Sequence, residues 1–357
     1  MLHLVVYISG HGYGHAAQTL PVLDSLWERC GPFRVTFRSS LPDAFFAARY
    51  THSYTLSPAE FDFGMVMNSA IDVDPDASAR RYAELHRRWD DVVRDEAALL
   101  RTLDAKLVLS NVGYLGLAAA HHAGRPAVAM SSLNWYDIFA HYCRTLPDAA
   151  RVLTHMEHAY RSAQCFIQMT PALPMPWLPQ RRLVGPVTRL GRARRDELVS
   201  RLNVQAHDRI VLVSLGGIAS RVPVEQWPRY ADVRWLVPQE WSVVRDDIVA
   251  FQTLGMSFNT LLCSADALVT KPGYGSFVEA GCNGTPVIYV PRGDWPEEPY
   301  LTAWLHQHTR AVEISRDTLA SGELAPALAR IAAMPIPPRP DATGGAEAAA
   351  IIASLLA

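Results

Sequence analysis

Residues 267–281 read Ala267-Leu268-Val269-Thr270-Lys271-Pro272-Gly273-Tyr274-Gly275-Ser276-Phe277-Val278-Glu279-Ala280-Gly281. The first four are a short apolar run with β-branched residues, and the last eight space their apolar positions as a helix does. Between them lies a Pro-Gly break, so the stretch is a strand, a glycine-rich turn and a helix N-terminus. That order is the unit of a parallel α/β sheet. Lys271, the Gly273 and Gly275 amides and Ser276 can converge on a diphosphate there, because a helix N-terminus favours negative charge. Glu279 follows one turn on, placed to accept hydrogen bonds from ribose hydroxyls. No G-x-x-x-x-G-K-[ST] occurs, which excludes a Walker phosphate loop.

The same plan recurs along the chain. Leu4–Ile8, Arg34–Arg38, Lys106–Ser110, Pro126–Met130 and Cys165–Met169 read as strands, with helices over 16–30, 79–103 and 151–163. Thr170–Gln180 holds four prolines and is not a regular helix. A second series follows: strands at Ile210–Ser214, Arg234–Val237, Ser242–Val244 and Pro286–Val290, a helix over Ser257–Ser264, and an apolar helix over Ala346–Leu356. The expected division is an N-terminal Rossmann-like domain over 1–183, a linker over 184–208, a C-terminal domain over 209–340, and a terminal helix over 341–357.

Two more glycine clusters sit at strand ends. Leu215-Gly216-Gly217 follows Ile210–Ser214 and offers backbone N–H groups to a phosphate. Gly10-His11-Gly12-Tyr13-Gly14-His15 joins the first strand to the first helix. Its spacing is not G-x-G-x-x-G, and the second strand, RVTFRSS, ends without the acid that holds a ribose, which argues against a dinucleotide site. His15 starts a helix at the carboxyl edge of a sheet, where a neutral imidazole can serve as general base. Asp137, in Asn134-Trp135-Tyr136-Asp137, is placed to orient His15, to contact an acceptor, or to cap a helix. Asp62 on a long loop is a further acceptor-side candidate. Trp135, Trp177 and Trp295 lie near these segments and can stack on a sugar.

Composition bounds the rest. The chain has 357 residues, enough for two domains of about 150 each. With 49% hydrophobic residues it is not a disordered chain, and a net charge of −2 gives no global field for nucleic acid. No apolar run suggests a membrane span. The N-terminus lacks a basic leader and reads as a strand. Cys30, Cys143, Cys165, Cys263 and Cys282 form no C-x-x-C pair, so they read as small buried hydrophobes in a reducing compartment. The arginine runs at 80–81, 87–88 and 192–195 read as solvated helix faces.

The cluster at 271–279 resembles the donor signature of GT-B glycosyltransferases, which have two Rossmann-like domains facing across a cleft. In the plant enzymes it runs H-C-G-W-N-S-x-x-E, then G-x-P, then D-Q. Lys271 stands at the histidine, Gly273 at the glycine, Gly275 at the asparagine, Ser276 at the serine and Glu279 at the glutamate. Gly284 and Pro286 match G-x-P, and Glu297-Glu298 falls two residues beyond D-Q. His15 matches the histidine that ends a glycine loop in the peptidoglycan GlcNAc transferase. A fuller likeness, over residues 1 to about 310, is to the glycosyltransferase-like N-terminal part of plant L-arabinokinases and their bacterial stand-alone relatives. Those carry a similar G-H-G-F-G-H opening, an N-x-x-W-D segment and a late E-E-P-F, beside which this chain has Gly10–His15, Asn134–Asp137 and Glu297–Tyr300.

The resemblance implies an α/β GT-B fold and a cytoplasmic, metal-independent, inverting transferase. Its donor is a nucleotide-diphosphate sugar, a UDP-sugar, held by Gly216, Gly217, Lys271, Gly273, Gly275, Ser276 and Glu279. His15, with His11 and Asp137, carries the catalysis; Gly12, Gly14, Glu297 and Glu298 bind substrate. No cofactor is implied. The acceptor is a small molecule, a glycan or a lipid-linked group, with peripheral membrane contact open. Two alternatives stand beside it: a nucleotide-sugar hydrolase or epimerase, and a non-catalytic nucleotide-sugar module.

Overall fold

The computed structural model describes residues 2–69, 71–216 and 221–356. They form two compact units. One comprises Met1–Val187, Trp295–Glu297 and Thr343–Ala357; the other comprises Thr188–Asp294 and Glu298–Ala342.

The first unit is a parallel sheet of β1 (His3–Ile8), β2 (Arg34–Ser39), β3 (Thr55–Pro58), β4 (Leu107–Asn111), β5 (Ala127–Ser131), β6 (Cys165–Met169) and β7 (Arg181–Val184). Its spatial order is β3-β2-β1-β4-β5-β6-β7. The inner strands β1, β4, β5 and β6 are buried at every position. That is why they read as unbroken apolar runs and not as alternation: helices cover both faces of a parallel sheet. Tyr7, Tyr82, Trp89, Tyr114, Trp135 and Trp295 lie in the core beside these strands. Burying each such side chain contributes on the order of 2 kcal/mol.

The second unit repeats the scheme with β8 (Arg209–Val213), β9 (Val233–Val237), β10 (Ile248–Ala250), β11 (Ala267–Thr270), β12 (Val287–Tyr289) and β13 (Ala311–Glu313). The order is β10-β9-β8-β11-β12-β13, again all parallel. In each sheet the winding reverses once, between β1 and β4 and between β8 and β11. Open α/β sheets bind ligands outside the carboxyl ends of the strands at such a reversal.

Several local readings change. The helix expected over 79–103 is two, Pro75–Arg87 and Trp89–Thr102, broken at Arg88. The break lets His86 and Trp89 stack at 4.7 Å, with Trp89 also stacked on His155. No strand forms at 242–244: Ser242 takes φ +51° after a 3-10 turn, Val244 is 99% exposed, and the edge strand is β10 instead. The sheet of the first unit continues through β7, past the proline-rich stretch. The helix Gly344–Leu356 packs on Gly14–Cys30. Its small residues allow this, since a Cβ at Gly345 would already touch Ser25 and Pro21. Cys30 is exposed, not buried. No helix among the described residues is long and apolar enough to cross a membrane.

Candidate functional site

In the first unit the glycine loop leaves the carboxyl end of β1. Gly12 has φ +104°, a conformation that glycine adopts without strain, and its N–H closes a tight turn on Gly10 O at 2.7 Å. A Cβ at Gly12 or Gly14 would meet nothing within 4 Å, so the outer side of the loop is open. The helix that follows, Gly14–Cys30, has no side-chain cap and no acid in its first turn.

His15 lies in that first turn and is buried. Its Nδ1 is 3.0 Å from Asn111 Oδ1, at the end of β4. The contact therefore ties that helix to the end of β4 at the reversal, where Ser9 N–H also donates to Asn111 O at 2.8 Å. Burial pushes the His15 imidazole down to about 4, and the Asn111 bond opposes this only in part. The ring is neutral at physiological pH. His11 Nδ1 bonds Phe63 O at 3.0 Å, and both imidazoles pack edge-to-face with Trp135, at 5.4 and 5.9 Å.

Trp135 is wholly buried, and its Nε1–H donates to Asp62 Oδ2 at 3.0 Å, so it is the floor under the two histidines and not a sugar platform. Ser9 Oγ donates to Asp62 Oδ1 at 2.5 Å. Burial raises the Asp62 carboxyl to about 6 despite these two donors. Asp62 thus ties the glycine loop to the floor beneath it.

Asp137 does not orient His15. It sits in the first turn of the helix Trp135–Cys143, whose cap is Asn134. Its carboxylate accepts from Asn134 Nδ2 at 2.7 Å and from Trp177 Nε1 at 3.0 Å. The effect is to pin the proline-rich stretch. Trp177 is occupied by that bond and by Tyr136, 4.6 Å away. Trp295 is buried in the core of this unit and donates to Glu297 Oε2 at 3.3 Å. Glu297 is itself buried.

In the second unit Gly216 follows β8 with φ +82°, and Lys271 follows β11. A Cβ on Gly216 would stand 4.0 Å from Lys271 Nζ, so the ammonium reaches the glycine turn across the reversal in this sheet. Gly217 lies outside the described residues. Gly273 is the cap residue of the helix Tyr274–Asn283, with no side-chain cap bond, no acid in the first turn and open space where a Cβ would be. Gly275 and Ser276 lie in that turn, and Glu279 follows on the same helix, partly exposed. Lys271, Gly216, Gly273, Gly275 and Ser276 are therefore gathered at one strand-end corner with the character of an anion site.

Glu298 has a different task. It starts the helix Glu298–His308, and its carboxylate accepts from Arg292 N at 3.0 Å and Gly293 N at 3.3 Å, holding its own loop. Burial raises its carboxyl, against the pull of those amides. Glu297 and Glu298, adjacent in sequence, belong to different units. The sequence reading passed over Asn111 and Gln18. The signal for Asn111 was a polar residue closing an apolar strand at the carboxyl edge.

No family model matches the chain. L-arabinokinase of Arabidopsis thaliana is 25% identical over 372 residues, covering 99% of this chain and 34% of that protein. The chain thus spans about a third of the length of the curated relative it matches. Among solved structures, the calicheamicin glycosyltransferase CalG4 superposes with TM-score 0.66 at 18% identity, over 99% of this chain and 98% of that one. UGT89C1 of Arabidopsis thaliana gives 0.62 at 14%, over 99% of each. Phytolacca americana UGT2, complexed with UDP-2-fluoro-glucose and pterostilbene, gives 0.55 at 15%, over 100% of this chain and 94% of that one. The chain has the GT-B fold of these glycosyltransferases and resembles L-arabinokinase in sequence.

Proposed function

We propose that this protein is a glycosyltransferase that moves a sugar from a UDP-sugar to an acceptor hydroxyl. The observation that carries the reading is Lys271 Nζ beside the Gly216 turn, next to an uncapped helix N-terminus, at the winding reversal of the second sheet. A diphosphate fits that combination of ammonium, open backbone N–H groups and helix dipole. UGT89C1 with UDP and UGT2 with UDP-2-fluoro-glucose, both similar in fold, lend it support. Ser276 and the Gly273 and Gly275 amides complete the diphosphate cradle, and Glu279 takes the ribose.

The first unit supplies the base. The acceptor hydroxyl gives its proton to His15 Nε2 as its oxygen bonds to the anomeric carbon. The bond from that carbon to the phosphate oxygen breaks, and its electron pair leaves with UDP. Lys271 and the helix N–H groups offset the charge that develops on UDP, which is electrostatic catalysis without a bound metal. A single displacement of this kind inverts the anomeric configuration. His11, Gly12 and Gly14 border the acceptor, which is a small molecule, a glycan or a lipid-linked group.

Thermal-shift screening against UDP, GDP, dTDP, ADP and CMP sugars tests this, since a ligand of the native state raises the midpoint by mass action. A UDP-sugar is expected to raise it, and Lys271→Ala and Glu279→Ala to reduce the rise. No rise with any nucleotide sugar at millimolar concentration would overturn the donor site. Free sugar released in water, at a rate that no acceptor changes, would point to a hydrolase.

A further inference from the structure

Behind His15 runs a chain of buried side-chain amides. Gln18 Nε2 donates to Ser132 Oγ at 2.9 Å. Asn111 Nδ2 donates to Gln18 Oε1 at 2.9 Å, and Ser131 Oγ adds a longer bond to the same oxygen at 3.5 Å. Ser131 Oγ in turn accepts from Leu133 N–H at 3.3 Å. These bonds leave Asn111 Oδ1 facing His15 Nδ1. Gln18, Asn111, Ser131 and Ser132 are each 2% exposed or less, so the network is shielded from bulk solvent.

An amide oxygen can only accept, so a nitrogen bonded to it carries the hydrogen. In a neutral imidazole the other nitrogen is then the bare acceptor. We infer that Gln18 and Asn111 are positioning residues that hold the neutral His15 ring as its Nδ1–H tautomer and keep Nε2 ready to take a proton. The inference rests on the reading of His15 as the base.

The arrangement orients the base without charging it. A carboxylate at the place of Asn111 would draw the imidazole strongly toward imidazolium; the amide favours it only enough to offset part of the effect of burial. The surrounding groups act in the same direction as burial. His15 occupies the first turn of its helix, whose positive end disfavours a cation. Asp62 is reached through the Trp135 indole and not directly, and His11 packs on the same indole. Burial and the Asn111 bond are the influences that set the His15 imidazole. The resting enzyme therefore holds a ring with a free lone pair and no proton to lose first.

Long-range 1H–15N spectra of protein labelled at histidine read the tautomer directly, with His15 assigned by its loss in His15→Gln. The expected spectrum of the wild type shows Nδ1 protonated and Nε2 bare. Asn111→Leu is expected to give a mixture of the two tautomers. Asn111→Asp, close to isosteric and a safeguard if the leucine variant does not fold, is expected to keep the tautomer and move the His15 titration midpoint upward. An Nε2–H ring in the wild type, which reversing both amides would produce, overturns the inference. So does a midpoint that Asn111→Asp leaves in place. None of these readouts uses turnover. A missing transferase activity beside the expected spectrum would fault the base assignment alone, and the opposite tautomer beside working transfer would fault this inference alone.

Discussion

His15 Nδ1 and Asn111 Oδ1, 3.0 Å apart, tie the first turn of the helix after β1 to the end of β4, at the point where the first sheet reverses its winding. A hydrogen bond there fixes a side chain relative to both the helix that carries it and the strand beside it. This is the rigidity a proton acceptor needs to keep within reach of a hydroxyl. His15→Ala is expected to lower kcat for sugar transfer by about 10²-fold or more, the range a positioned general base contributes. The UDP-sugar affinity should stay within about twofold, because the residues proposed to hold the donor lie in the other unit. Steady-state kinetics with an independent UDP titration separates the two effects. Equal loss of both would remove His15 from catalysis.

The pH profile follows from the same residue. A base acts only when unprotonated, and burial holds the His15 imidazole down to about 4. Acid should therefore leave kcat/KM nearly flat from pH 7 to 5 and reduce it below that. An acid limb centred near the ordinary histidine value would show either that His15 is less buried in solution or that another group is the base. The profile needs folded protein at each pH, checked by circular dichroism on the same samples.

In the proposed donor site Lys271 acts as a point charge, so its share of binding depends on salt. Lys271→Ala should weaken UDP by about tenfold at low ionic strength, equivalent to about 1.4 kcal/mol. The difference should narrow in 0.5 M salt. Uridine, which lacks the phosphates, should bind both proteins alike. Isothermal titration calorimetry with UDP and uridine makes the comparison, and an equal loss for uridine would place Lys271 elsewhere than on the phosphates.

The extent to which all this was legible in the sequence depends on the range of the interaction concerned. Ile8, Val108 and Val269 could be placed in inner strands because burial on both faces makes a parallel strand uniformly apolar. The glycine clusters could be placed at strand ends because the turn chemistry is local. The partner of His15 could not, because Asn111 lies 96 residues away and only the strand order β1-β4 brings it near. Asp137 misled for a related reason. It sits in the right motif at the right edge, but its partners, Asn134 and Trp177, take its carboxylate for the proline-rich stretch. Glu298 is turned inward by two backbone N–H groups that no spacing rule reveals.

That reading of Asp137 has its own test. Asp137→Asn keeps the size and, with its amide oxygen in the place of Oδ2, keeps an acceptor for both Asn134 and Trp177, but a neutral one in place of a charged one. It should destabilise the fold by about 1 kcal/mol, the difference between hydrogen bonds to a charged and to a neutral acceptor. The double variant with Trp177→Phe should cost less than the sum of the two, as residues in contact do. Urea denaturation of the four proteins gives the coupling. A large fall in kcat for Asp137→Asn with unchanged stability would return Asp137 to the catalytic machinery.

Three buried groups pull stability in opposite directions as pH falls. His15 and His86 are neutral and buried, lowered to about 4 and about 3, so between the ordinary histidine range and those values the unfolded chain binds more protons. Their contribution is full above about pH 6.5 and is lost as acid is added. Asp62 is raised to about 6, so the native state binds the extra proton between about pH 4 and 6, and its contribution grows as pH falls through that window. Of these three groups, the two histidines outweigh the aspartate, so together they lower stability from pH 6.5 to 4. Phe at position 86 removes one of the two losses, so His86→Phe should flatten the fall in Tm over that range. Asp62→Asn removes the opposing gain, so it should steepen the fall, relative to its own Tm at pH 7. Differential scanning calorimetry at pH 7, 6, 5 and 4 compares the slopes. Parallel curves for the wild type and Asp62→Asn would mean that Asp62 is ionised in the folded protein as readily as in the unfolded chain, and that the floor beneath the glycine loop is wetter than its burial indicates.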